Sequence, residues 1–117
     1  MKTINIKGKE YVPVVERVKE AHRLSTEFSI VTEVVSDTEQ NVSVKAIITF
    51  ADRTFTGHSS ASKTEGMMKN VALEVAETSA VGRALGFAGI GIDVGIASAD
   101  EMRKVKKDLT DDNDIGF

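Results

Sequence analysis

The chain has 117 residues, 41% of them hydrophobic, a size and composition suited to one compact domain. The absence of cysteine excludes disulfide scaffolds, thiol nucleophiles and cysteine-bound metals, and two histidines, His22 and His58, argue against a histidine-based metal site. The formal charge of −3 divides into +1 over residues 1–107 and −4 over 108–117, so a near-neutral body carries an acidic tail.

Residues 1–7 alternate, with Ile4 and Ile6 on one side and Thr3, Asn5 and Lys7 on the other, which predicts a half-buried strand turned by Gly8-Lys9. Pro13 occupies a helix start and VVERVKEAHRL follows, with Val14, Val18 and Ala21 at helical spacing. Glu16, Lys19, Glu20 and Arg23 form its polar side. Phe28, Ile30, Thr32 and Val34 then alternate with Ser29, Val31, Glu33 and Val35, up to the turn sequence DTEQN (37–41). Val42, Val44, Ala46, Ile48 and Phe50 alternate with Ser43, Lys45, Ile47 and Thr49, and Asp52-Arg53 leads to a third strand, TFTGHSS. Short links between three such segments predict an antiparallel meander, and Gly57 a bulge or a close backbone approach.

From Met67 to Gly86 the pattern is helical with two apolar stripes: Leu73, Ala76, Ala80, Ala84 and Phe87, and Val71, Val75 and Leu85. A helix apolar on two sides is packed on two sides. GFAGIGIDVG (86–95) must bend tightly, and Ser98 with Glu101 has capping-box spacing for a helix over 99–107. Residues 108–117 have no period and are expected to form a disordered tail, leaving 1–107 as the single domain. The N-terminus has no apolar signal segment, and no stretch approaches the roughly 18–20 apolar residues that span a bilayer, so a soluble cytoplasmic protein is expected.

An enzyme reading has little support. The glycine cluster lacks a following Lys-Ser/Thr and comes after a helix, where a dinucleotide fingerprint needs a preceding strand. His58 has no nucleophile at a defensible spacing, and Glu74 with Glu77 is an ordinary helical pair. No catalytic residue, cofactor or metal is expected. Binding is better supported. Lys45, Thr49, Thr54, Thr56, His58 and Ser60 occupy strand positions outside the apolar face, with Arg53 and Phe55 nearby. Cations that follow phosphates, hydroxyls and a ring that stacks on a base suit a single nucleic-acid strand. Lys45, Arg53, Phe55, His58, Lys63 and Lys69 are therefore the candidate contacts. In the tail, Asp111, Asp112, Asp114, Ile115 and Phe117 combine carboxylates with apolar anchors, the chemistry of a segment that docks partner proteins.

The tail resembles the acidic tip of bacterial single-stranded-DNA-binding proteins, with Ile115-Gly116-Phe117 where that family has Ile-Pro-Phe. GKEYVPVVERVKEAH (8–22) and ALEVAETSAVGRALGFAGIG (72–91) resemble small phage single-stranded-DNA-binding proteins of the lactococcal type. This resemblance implies a variant oligonucleotide-binding (OB-fold) barrel within an α+β domain, action in phage DNA replication and recombination in the host cytoplasm, and no catalytic site. Helix, meander and a helix ending in GRALGFAG are also similar to the core of single-strand annealing proteins. That likeness implies ring-forming homo-oligomers and a DNA contact at Arg83, for which a tie to a glutamate or to carbonyls is the alternative. An adaptor that binds only protein through its tail is the remaining reading.

Overall fold

The structure is a computed structural model that describes residues 1–65 and 70–108, with side chains through residue 103. A short hairpin opens the chain, β1 (Ile4–Ile6) with β2 (Lys9–Tyr11). Lys7 and Gly8, both at positive φ, turn it, and the Asn5 side chain accepts from the Gly8 N–H at 3.0 Å. The expected turn at Gly8-Lys9 thus ends one residue early, because Lys9 already belongs to a strand that pairs Ile6.

Helix α1 (Val14–Leu24) starts one residue after Pro13, and its first N–H donates to the Asp100 carboxylate at 2.8 Å. The meander follows as β3 (Phe28–Asp37), β4 (Asn41–Phe50) and β5 (Arg53–Ser62), with β4 central. Helix α2 (Ala72–Phe87) starts later than the expected Met67, a position outside the described residues, and α3 (Ala99–Asp108) closes the order.

Val42, Val44, Ala46 and Ile48 point from β4 into the core and meet Ala76, Ala80, Ala84 and Leu85 of α2. Alanines along this side let the helix come close to the sheet, and at Gly57 the approach is closest. A Cβ there would lie 2.4 Å from the Ala84 nitrogen and 2.6 Å from the Ala80 carbonyl oxygen. The other side of α2 packs on α1, where Gly82 leaves room for Val14. The helix is therefore packed on two sides, but its ends overhang: Leu73 and Phe87, expected in the apolar stripe, are 45% and 49% exposed.

The fold is α+β with antiparallel sheets, but no barrel closes. The three long strands leave β3 and β5 as edges, and the β1–β2 hairpin packs near α3 instead of joining either edge. Among the described residues no helix is long and apolar enough to cross a membrane.

Candidate nucleic-acid interface

Strand register divides the expected contact residues between two faces. The side chains of directly opposed residues share a face, so Glu33, Lys45 and His58 form one row on the face away from the helices. Ser43 and Ser60 meet there, with hydroxyl oxygens 2.5 Å apart. Phe55 is opposite Ile48 and packs with the core under α2, so it cannot be a partner of Lys45 on the open face. Arg53 follows it, with its guanidinium 5.1 Å from the Phe55 ring centre. Lys63 ion-pairs with Asp37 at the far end of the sheet. Lys69 and the tail residues Asp111, Asp112, Asp114, Ile115 and Phe117 lie outside the described residues.

Arg83 is placed elsewhere, near the C-terminal end of α2. Its Nη1 donates to Glu101 Oε2 at 3.2 Å, which realises the glutamate tie, and the guanidinium lies 5.3 Å from the centre of the half-exposed Phe87 ring. Lys9 stands 5.6 Å from the Tyr11 ring centre, and Lys9, Tyr11 and Arg83 line a cavity of about 280 Å³ with residues 94–97. Cations and an accessible aromatic ring are thus gathered on the hairpin and helix ends, away from the meander's open face.

Two buried features fix this end of the molecule. Arg17, fully buried, donates to the carbonyls of Gly82 at 2.7 Å and of Gly91 and Gly95 at 3.2 Å each, so one guanidinium ties α1 to α2 and to the glycine loop. Burial pulls its pKa below the usual arginine value; Glu101 and Asp100 act in the opposite sense, and Arg83 adds to the lowering. The loop bends through positive φ at Gly89, Gly91 and Gly95, as its glycines suggested. Ser98 then caps α3 by accepting from the Glu101 N–H at 3.2 Å, while the Glu101 carboxylate turns to Arg83 and does not complete the reciprocal half of a capping box.

The sequence reading missed Lys9, Tyr11, Phe87 and Arg17. Arg17 was detectable, because it lies three residues after Val14 and four before Ala21, a cation on the apolar side of an amphipathic helix. The grouping of Lys9 with Arg83 had no local signal, since 74 residues and the α3 docking separate them.

The order α1–β3–β4–β5–α2 matches a known family. Residues 18–88, more than half of the chain, match the family described as Slr1353 N-terminal dsRNA-binding domain-like. The chain belongs to that family, whose match spans the meander and α2 and stops short of both the N-terminal hairpin and α3. No curated protein and no solved structure matches the chain.

Proposed function

We propose that the protein binds nucleic acid without sequence preference and takes single-stranded DNA over duplex, in DNA replication and recombination. Family membership supports nucleic acid as the ligand, and the resemblance of residues 72–91 to small phage single-stranded-DNA-binding proteins supports the strand state and the process. One observation carries the choice of single strand: the half-exposed Phe87 ring lies beside Arg83, and Arg83 in turn lines a cavity together with Lys9 and Tyr11. A single strand offers base faces for stacking, which a duplex hides, and the two cations suit the phosphates on either side. Lys45 and His58 sit on a face without a phenylalanine or tyrosine among its described residues and beside Glu33, a poorer setting for a stacked strand.

The family's description favours a second reading, in which the ligand is duplex RNA held by its backbone. Anisotropy titrations with labelled dT oligomer, duplex DNA and duplex RNA at one ionic strength separate the two. The single-strand reading expects dT to bind tightest and Phe87→Ala to weaken it by about 1–3 kcal/mol. Equal or tighter duplex binding, or dT affinity unmoved by Phe87→Ala, refutes it.

A further inference from the structure

We propose that the cavity between the N-terminal hairpin and residues 94–97 receives one unpaired base of the bound strand and holds it by its Watson–Crick edge. The proposal rests on the single-strand reading above and adds a second grip to it, separate from stacking on Phe87.

Tyr11 of β2 walls the cavity on one side and Val94, Ile96 and Ala97 on the other, with Lys9 and Arg83 on the same lining. Lys9 and Gly95 are exposed, so the cavity lies at the surface. A void of about 150 Å³ holds a benzene ring. At about 280 Å³ this one has room for a pyrimidine or purine ring, between apolar side chains of the kind that line small-ligand sites.

The backbone supplies the polar groups. On either side of the wall, peptide groups are already tied. The Gly95 N–H donates to the Ile92 carbonyl at 3.0 Å, and the Gly95 carbonyl accepts from Arg17 at 3.2 Å. The Ser98 carbonyl accepts from the Met102 N–H at 3.1 Å. Between them, the N–H and C=O groups of Ile96 and Ala97 have no hydrogen-bond partner among the described residues. Ala97 is 8% exposed and its side chain packs with Ile6, Tyr11 and Met102, so the segment is fixed in place while its peptide groups are unmet. Buried backbone groups are almost always paired, and a run of unpaired ones at a cavity wall calls for a ligand.

A peptide offers a donor and an acceptor, and so does the Watson–Crick edge of every base. Adenine and cytosine set an amino donor beside a ring-nitrogen acceptor; guanine and thymine set a ring N–H beside a carbonyl. One wall therefore serves all four, in keeping with binding without sequence preference. In a duplex that edge is already paired, so the cavity admits a base only from a single strand. Lys9 and Arg83, the latter tied to Glu101, supply cations for the phosphates of the inserted nucleotide.

The test compares a dT oligomer with a 3-methylthymidine oligomer of equal length by anisotropy, on the full chain. The added methyl blocks the N3 donor and leaves the charge and the ring faces. The methylated strand is expected to bind about fivefold more weakly, the worth of one net hydrogen bond. That ratio should persist in Phe87→Ala, which lacks the stacking ring. Val94→Trp, at a half-buried position, fills the cavity and should lower dT affinity by a similar factor with unchanged circular dichroism. In isotope-labelled protein the Ile96 and Ala97 amide signals should move when dT is added. Equal affinity for the two oligomers, a ratio lost in Phe87→Ala, wild-type affinity in Val94→Trp, or unmoved Ile96 and Ala97 signals each overturns the base site. Where dT binding still depends on Phe87, the single-strand reading survives that result; a wild type that does not bind dT overturns both.

Discussion

Gly57→Ala tests the closest contact in the fold. The substituted methyl would lie 2.4 Å from the Ala84 nitrogen, 2.6 Å from the Ala80 oxygen and 3.0 Å from the Arg83 carbonyl carbon. All three are backbone atoms, so no side chain can swing aside. Comfortable carbon contacts begin near 3.5 Å, so α2 must lift from β5 by about 1 Å. Overpacking of this kind costs about 3 kcal/mol, the upper part of the usual range. For a domain of this size that lowers the melting temperature by roughly 15 °C. Gly8→Ala is the internal control: nothing lies within 4 Å of its Cβ, but φ is +85°. Its cost is backbone strain alone, about 1–2 kcal/mol. Thermal unfolding by circular dichroism reads both. If Gly57→Ala melts within a few degrees of wild type, or below Gly8→Ala in its effect, α2 is not seated on β5 at this point and the placement of Arg83 loses its foundation.

Other substitutions probe the remaining parts. Phe55→Ala should cost about 2–4 kcal/mol of stability because the ring packs under α2; chemical denaturation measures this, and dT affinity per folded molecule should not change. Arg17→Met removes the donor to three carbonyls, of which that of Gly82 is left stranded in the interior. It should cost about 3–5 kcal/mol, with faster amide exchange across residues 89–95. Deleting residues 109–117 removes three aspartates and no cation, taking the formal charge from −3 to zero. Binding to dT should tighten at low salt and converge on wild type near 1 M, where screening reaches about 3 Å; weaker binding at low salt would contradict it.

The meander was legible because β4 alternates cleanly, and every one of its inward residues is apolar. β5 was harder to read. Its core side is Phe55, Gly57, Ser59 and Ala61, opposite Ile48, Ala46, Val44 and Val42. A helix that approaches to contact distance requires small residues beneath it, and small residues do not register as an apolar stripe. Phe55 was thus grouped with the open face, although strict alternation from Thr54 and Thr56 opposes it. On β3 the difficulty is the reverse: valines and isoleucine occur on both sides, so no single face declares itself. At the candidate site, Arg83 was singled out by resemblance. Its surroundings come from contacts far apart in sequence: the Val14–Asp100 bond, the Ala99–Val12 bond and the Arg17 clamp bring hairpin, helices and glycine loop together.

That clamp bears on how the site binds. Arg83 shares its charge with Glu101, and Arg83 and Lys9 are the two cations that line the groove, so few phosphates are neutralised by one protomer. With Lys9 and Arg83 as the contacts, log K for single-stranded DNA should fall with log salt on a slope no steeper than about −1.4, at about −0.7 per phosphate, and shallower by the share of Arg83 that Glu101 neutralises. Between 50 and 200 mM salt that is a loss of no more than about seven-fold, a shallow dependence for a DNA-binding protein. Stacking on Phe87 is little affected by salt, so a large residual affinity at high salt belongs to the same picture. Glu101→Gln gives the opposing case. It releases Arg83 from its partner and should raise affinity at low salt while steepening the slope. A wild-type slope beyond about −3 would mean that more than four phosphates are held. The contacts would then have to include cations outside this groove, and the Arg83–Phe87 pair would no longer be where the strand is chiefly bound.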